Sequence, residues 1–296
     1  KIFFLAFIPL YNVLKKNRSN VFILHLVTSL PLFINFFFNT GIKVILRISG
    51  LPRLNFFRKF FWKIVIKKVD TITTPTIATR NYLKKIFKKQ KICLLRDPII
   101  FVKEILRENN KNQNNNNLGY NVYVSIGRLT KQKNFIFLLE CFKKIIEKNN
   151  NNCLYILGSG EDSKKLKKFV DANNLKKNIF FEGYKKNVYE YLNKSKAFIL
   201  PSLWEDPGFV LVEAAYANTL IISSNCNNGP KEIIDDNKNG FLFKSNDKSD
   251  FLRIFESLEK IPEKDIYKKK LNAKKMSRNF SLFNHYLELQ KILINV

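Results

Sequence analysis

Residues 200–215 read Leu200-Pro-Ser-Leu-Trp-Glu-Asp-Pro-Gly-Phe-Val-Leu-Val-Glu-Ala-Ala215. An apolar run over Ala197–Ser202 ends there in a Pro/Gly turn, and a largely apolar helical pattern, Phe209–Tyr216, follows. Pro207 suits the first turn of that helix, where a missing N–H costs nothing. Strand, tight turn and helix make up half of a βαβ unit, and the same succession recurs along the chain. Strands are expected at Val21–Leu26, Lys43–Ser49, Thr71–Thr76 and Lys91–Arg96. Six more are expected at Asn121–Gly127, Cys153–Gly158, Ile179–Gly183, Ala197–Ser202, Leu220–Asn225 and Gly240–Phe243. Helical patterns at Asn55–Lys68, Ile77–Lys89, Asn134–Lys148 and Lys164–Asn173 lie between them. Strands that are apolar throughout, separated by helices, predict parallel sheets covered on both faces. The expected class is therefore α/β, wound in the Rossmann manner.

Residues 108–120 (Glu-Asn-Asn-Lys-Asn-Gln-Asn-Asn-Asn-Asn-Leu-Gly-Tyr) are polar, low in complexity and without period, and read as a linker. It divides a Rossmann-like domain at 1–107, with four strands, from a second at 121–296, with six strands and closing helices over Glu263–Val296.

The chain has 296 residues, of which 46% are apolar and 26% charged, a globular composition. Its 52 Lys and Arg against 24 Asp and Glu give a net charge of +28. The first hundred residues hold 19 Lys and Arg against only Asp70 and Asp97, a net of +17. Such a charge invites a nucleic-acid or membrane-surface reading. Only 10 of the cations are Arg, the residue whose planar fork reads bases, and no RNP, zinc-finger or helix-turn-helix signature is present. The excess of Lys, Asn, Ile and Phe is also what an AT-rich coding sequence yields.

Cys93, Cys141, Cys153 and Cys226 form no CxxC pair, and with two distant histidines they assemble no zinc site. No disulfide pattern is evident, which suits a reducing, cytoplasmic compartment. The apolar stretches Ile2–Leu10 and Leu30–Phe38 are too short to span a bilayer. The first looks superficially like a leader, but no small-residue cleavage site follows.

Three further stretches bear on chemistry. In Val124-Ser-Ile-Gly-Arg-Leu-Thr-Lys-Gln-Lys-Asn134 a strand ends at Gly127, basic residues follow, and a helix opens near Asn134. Arg128, Lys131 and Lys133 at a helix start suit a dianionic phosphate; a solvated basic loop is the plain alternative. Gly158-Ser-Gly160 resembles a dinucleotide turn but lacks the full spacing, and a tight βα turn explains it equally. In Ser223–Ile234, a strand, Gly-Pro turn and helix start, Lys231 and Glu232 read either as site residues or as first-turn polar residues. Glu205 and Asp206, just before a helix, are explained as dipole partners. Glu213, inside that apolar helix, is not, and reads as a buried or pocket-facing carboxylate.

Together these motifs resemble the C-terminal domain of retaining glycosyltransferases of the GT-B fold, family 4. The family's Glu-x7-Glu pair stands as Glu205…Glu213 and its Gly-Arg-Leu…Lys-Asn turn as Gly127-Arg-Leu-Thr-Lys-Gln-Lys-Asn134. Phe181-Glu-Gly183, Gly229-Pro-Lys-Glu-Ile233 and Asn239-Gly240 match further elements, in order, across Asn121–Val296. The resemblance implies two Rossmann-like domains and sugar transfer from a nucleotide sugar, a UDP-sugar, to a glycan or lipid-linked acceptor, with retention by front-face displacement. Variants such as Ser-Gly-Leu-Pro and Asp-Pro-Gly-Phe resemble enzymes of bacterial capsule, lipopolysaccharide and glycan-carrier synthesis. Arg128 and Lys133 are implied as catalytic cations on the donor pyrophosphate, and Glu205 as the catalytic carboxylate facing the sugar. Glu213 is implied on the ribose hydroxyls, and Gly127, Gly208, Phe209 and Val210 beside the donor. No metal or cofactor is implied.

Leu24–Pro31, Leu46–Pro52 and Asp70–Thr76 look like later parts of the family's acceptor domain, which implies that the first two or three βα units are missing. A functional histidine is common in that domain. Arg47 and Ser49 occupy the matching stretch, and the role is not carried over to His25. Leu54–Lys68, mixing aromatics and cations, reads either as an interfacial helix on an anionic membrane or as an ordinary helix with its apolar face in the core. An inactive nucleotide-binding fragment, a GT-B nucleotide-sugar epimerase and a charge-driven nucleic-acid binder are the alternatives.

Overall fold

The computed structural model describes residues 2–16, 21–25, 29–38, 41–52, 55–102 and 120–295. Apart from Tyr120, the expected linker lies outside them. The chain divides into two compact units, Lys1–Asp97 with His285–Val296, and Pro98–Asn284.

In the first unit helix α1 (Ile2–Lys16) precedes strand β1 (Val21–His25), α2 (Ser29–Phe37), β2 (Lys43–Arg47), α3 (Phe56–Val65), β3 (Thr71–Thr74), α4 (Ile77–Ile86) and β4 (Ile92–Leu94). The strands pair in parallel in the order β1-β2-β3-β4. Leu24, Val44, Leu46 and Ile72 point from the sheet onto Trp62 and Val65 of α3 and Leu83 of α4. Arg47, named above at a motif position, is structural: it is buried, donates to the Leu95 carbonyl at 2.6 Å and pairs with Asp97. The leader-like stretch Ile2–Leu10 falls in helix α1, and the run Leu30–Phe38 falls in α2 except for Phe38 just past its end.

The second unit runs β5 (Asn121–Ile126), α5 (Phe135–Lys148), β6 (Asn152–Leu157), α6 (Ser163–Ala172), β7 (Ile179–Gly183), α7 (Tyr189–Asn193) and β8 (Ala197–Leu200). It continues with α8 (Val210–Tyr216), β9 (Leu220–Ser224), α9 (Pro230–Ile233), β10 (Phe241–Phe243), α10 (Lys248–Ser257) and α11 (Glu263–Ser277). All six strands are parallel, in the order β10-β9-β8-β5-β6-β7. Both faces are covered, which is why most strand positions are apolar, with polar residues such as Asn121, Glu182 and Ser224 near the strand ends. Tyr123, Leu154, Ile199 and Ile222 face Phe137 and Phe142 of α5 and Phe251 of α10. Val124, Phe198, Leu200 and Ile221 face Leu211, Val212 and Ala215 of α8 and Ala273 of α11. Burying each such large side chain contributes about 1.5–3 kcal/mol. The strand order reverses between β5 and β8, and open α/β sheets bind ligands outside the carboxyl ends at that point.

Two expectations need correction. Pro207 lies in the loop before α8, because the helix opens only at Val210 with Phe209 as its cap. The closing helix, α12 (Leu282–Ile294), does not stay with the second unit. From His285 on it belongs to the first, where Leu289 and Ile292 pack on Ile45 and Leu95 and Glu288 pairs with Arg96.

Candidate functional site

Three loops converge at the carboxyl ends of adjacent strands. The loop after β5 passes through a 3-10 turn, Lys131–Lys133, and a left-handed Asn134 with φ of 52° before α5 begins. The loop after β8 is zipped to it: Leu203 N–H donates to the Gln132 carbonyl at 2.9 Å and Gln132 Nε2 to the Trp204 carbonyl at 3.0 Å. The loop after β9 braces the second. Ser224 Oγ donates to the Ser202 carbonyl at 2.5 Å, Glu205 N–H to the Asn227 carbonyl at 3.2 Å, and the Asn228 amide to Asp206.

Glycines permit this approach. Gly229, at φ of +149°, sits so close to Pro207 that a Cβ would overlap the Pro207 carbonyl. Gly229→Ala is expected to destabilise the fold by about 1–3 kcal/mol from backbone strain, with the overlap adding to it. A denaturant midpoint unchanged by that substitution would contradict this reading. Gly158 is a packing device of the same kind, since a Cβ there would overlap the Gly127 carbonyl. The Gly-x-Gly at 158–160 is thus explained by the interlocked turns after β5 and β6, where Leu129 N–H donates to the Ser159 carbonyl at 2.9 Å.

A pocket of about 520 Å³ opens between the first two loops. All eight residues singled out from the sequence line it: Gly127, Arg128, Lys133, Glu205, Gly208, Phe209, Val210 and Glu213. Ile126, Gln132, Trp204 and Asp206 complete the wall. Lys231 and Glu232, exposed on α9, are not part of it, nor is Lys131. A second lobe of about 340 Å³ shares Ile126, Gly127, Arg128 and Glu213 and adds Gly158, Ser159, Tyr184 and Lys185. A separate hollow of about 390 Å³ lies among Asn121, Ala197 and Leu220, at the amino ends of β5, β8 and β9, and holds none of the eight.

The charges in the pocket are of two kinds. Arg128 is exposed and makes no ion pair among the described residues. Lys133 is held: its Nζ lies 2.5 Å from Glu205 Oε1, with Glu205 only 4% exposed. Ser202 Oγ donates to the same oxygen at 2.5 Å. Neither Ser202 nor the Lys133–Glu205 pairing is among the sequence expectations; the serine three positions before Glu205 is a local signal for the first and not for the second. Glu213 makes no ion pair among the described residues, and burial pushes its carboxyl up to about 7. The neighbouring Tyr189 phenol is pushed up by burial first and by the Glu213 charge second.

In the first unit His25 Nε2 and Ser49 Oγ lie 2.5 Å apart at the carboxyl ends of the adjacent strands β1 and β2. Among the described residues no helix is long and apolar enough to cross a membrane.

Residues 106–278 match the family described as glycosyl transferases group 1, and the chain belongs to that family. Over 113 residues it is 41% identical to an uncharacterized glycosyltransferase of Methanocaldococcus jannaschii, spanning 38% of this chain and 28% of that protein. Over 301 residues it is 26% identical to a Campylobacter jejuni α-1,4-N-acetyl-D-galactosaminyltransferase whose substrate is a GalNAc-containing diphosphoundecaprenol glycan, covering 99% of this chain and 79% of that one. The chain covers 28% and 54% of the first two curated relatives it matches. Among solved structures, Anabaena HepE in complex with UDP superposes with a TM-score of 0.79 at 11% identity, over 98% of this chain and 82% of that chain. The fold is that of the GT-B glycosyltransferases, α/β with parallel sheets flanked by helices.

Proposed function

We propose that this protein is a retaining hexosyltransferase that moves a sugar from a UDP-sugar to a glycan or lipid-linked acceptor, without a metal ion or cofactor. The carrying observation is the convergence of Arg128, Lys133, Glu205 and Glu213 on one pocket at the point where the strand order reverses. The pocket's two lobes meet at Arg128 and Glu213, which suits an elongated donor with its anionic centre at the junction. Arg128 and Lys133 take the diphosphate and stabilise the charge that grows on it as the sugar–phosphate bond breaks. Glu213 accepts from the ribose hydroxyls, beside the backbone of Gly127. Gly208, Phe209 and Val210 border the donor. Glu205 holds Lys133 in place and faces the sugar.

Retention means that the acceptor oxygen bonds to the anomeric carbon on the face the diphosphate leaves. The bond to the diphosphate breaks with its electron pair, and the hydroxyl proton departs with the leaving group. The names of relatives support the donor and acceptor classes. One of these is an Escherichia coli UDP-Gal:α-D-GlcNAc-diphosphoundecaprenol α-1,3-galactosyltransferase, 34% identical over 134 residues. The UDP in the HepE structure supports the nucleotide. We place the protein in the cytoplasm, at the inner face of an anionic membrane where lipid-linked acceptors are found.

A panel of nucleotide sugars, each tested with EDTA for a rise in melting temperature and for transfer to a lipid-linked glycan, examines the reading. UDP-sugars are expected to stabilise the protein and to be consumed in EDTA. Stabilisation without transfer would leave a nucleotide-binding protein, and a strict Mg²⁺ requirement would contradict the roles given to Arg128 and Lys133.

A further inference from the structure

Helix α3 divides its aromatic residues between two environments. Trp62 and Val65 are buried in the first unit's core, and Phe61 and Ile64 are partly covered. Phe56, Phe57 and Phe60 are 80%, 81% and 61% exposed. At about 100° per residue these three rings fall within an arc of about 100°, with Lys63 and Lys59 about 20° and 60° beyond its edge. The core therefore accounts for one side of α3 and leaves three phenyl rings in water, bordered by ammonium groups. Arg58 lies over the Trp62 ring, 5.2 Å from its centre. The neighbouring helix α2 packs on α3 and carries two more exposed rings, Phe37 at 61% and Phe38 just past its end at 37%.

Charge identifies the occupant. Residues 1–69 hold 12 Lys and Arg and no Asp or Glu, so no carboxylate from that stretch competes for the cations around the rings. Aromatic rings flanked by lysines on a helix anchored from behind match the boundary of an anionic bilayer. There the rings enter the headgroup–acyl interface and the ammonium groups meet lipid phosphates. An acidic protein would use the cations but offers no acyl layer for the rings. Single-stranded nucleic acid does stack on such rings, but the sequence carries no RNP, zinc-finger or helix-turn-helix signature.

We propose that the α3 face formed by Phe56, Phe57, Phe60, Lys59 and Lys63 docks the protein on an anionic lipid surface. This rests on the membrane placement given above and names the element that makes the contact. Cosedimentation with phosphatidylcholine vesicles, and with phosphatidylcholine–phosphatidylglycerol vesicles, tests it. The chain is expected to partition at least about tenfold better into the phosphatidylglycerol-containing vesicles and to be released by salt. Phe56→Ser/Phe57→Ser/Phe60→Ser and Lys59→Glu/Lys63→Glu are each expected to weaken partitioning by more than about tenfold. These side chains are exposed, so circular dichroism and UDP binding in solution should match the wild type and show that each variant is folded. In a Phe57→Trp variant, a blue shift of emission beyond the wild-type change is expected with anionic vesicles only. Equal partitioning into both vesicle types, no partitioning into either, or wild-type partitioning of the triple serine variant would each overturn the proposal. Titration of UDP without vesicles tests the donor site separately.

Discussion

Replacing Lys133 with methionine is expected to lower the unfolding free energy by about 3 kcal/mol and to slow sugar transfer by about a hundred- to a thousandfold. The two effects have different origins. Stability falls because Glu205, 4% exposed, accepts from Lys133 Nζ at 2.5 Å, and loss of the cation leaves a buried carboxylate with only Ser202 on that oxygen. Transfer slows because a cation on the departing diphosphate is gone. The double variant Lys133→Met/Glu205→Leu separates them. Its unfolding midpoint should recover most of the loss, since no lone charge remains buried, while transfer stays low. Arg128→Met is the complementary case. Arg128 is exposed and outside any ion pair among the described residues, so its loss should change stability by less than about 0.5 kcal/mol while still crippling transfer. Equal stability losses for Lys133→Met and Arg128→Met would contradict the division between a held and a free cation.

The second large effect is a pH dependence centred on Glu213. Its carboxyl is pushed up to about 7 by burial, against an ordinary value of 4.5. The folded protein therefore keeps this proton where the unfolded chain has lost it. Below the ordinary value the group is neutral in both states and costs nothing. Between there and about pH 7 the cost of keeping it buried grows to about 3 kcal/mol, so this group lowers stability as pH rises through that window. Glu213→Gln should be more stable than the wild type at pH 8 and level with it near pH 4.

Donor binding runs the other way. Ribose hydroxyls bond best to the ionised carboxylate, so the affinity for a UDP-sugar should rise with pH, by about fivefold from pH 6 to pH 7. At pH 8 Glu213→Gln should lose about ten- to a hundredfold in affinity, as expected for hydrogen bonds to a charged group. Titration calorimetry at three pH values checks both. An affinity independent of pH in the wild type would remove Glu213 from the ribose.

All ten strands were legible because each is an apolar or β-branched run closed by a turn, β3 (Thr71–Thr74) being mostly threonine. Most are a residue or two shorter than expected, since the last residues of runs such as Lys43–Ser49 and Ala197–Ser202 already belong to loops. Helices α1 and α2 carried no readable period: Ser29–Phe37 is apolar almost all round, and Ile2–Lys16 contains Pro9. The destination of α12 was hidden for a different reason. Nothing local in its sequence says which unit Ile292 and Leu289 pack against.

The gathering of the eight residues in one pocket was legible because the Gly127 turn and the Glu205…Glu213 stretch each follow a strand, and parallel sheets gather such turns at one end. The pairing of β5 with β8, Val124 against Phe198, then makes neighbours of residues more than seventy positions apart. The Lys133–Glu205 contact was not legible, because it depends on how the Lys131–Lys133 turn seats on the Leu203–Trp204 backbone. That register is set by tertiary hydrogen bonds from Gln132 and Leu203, to which no sequence pattern corresponds.

Titration of UDP into the wild-type protein and into the double variant Arg128→Ala/Glu213→Ala, in EDTA at pH 8, bears on the donor site itself. The wild type should bind one equivalent with a measurable heat, and the double variant should show none at the same concentrations. Equal binding by the two proteins would mean that the nucleotide sits elsewhere, and the function drawn from this pocket would fall with it.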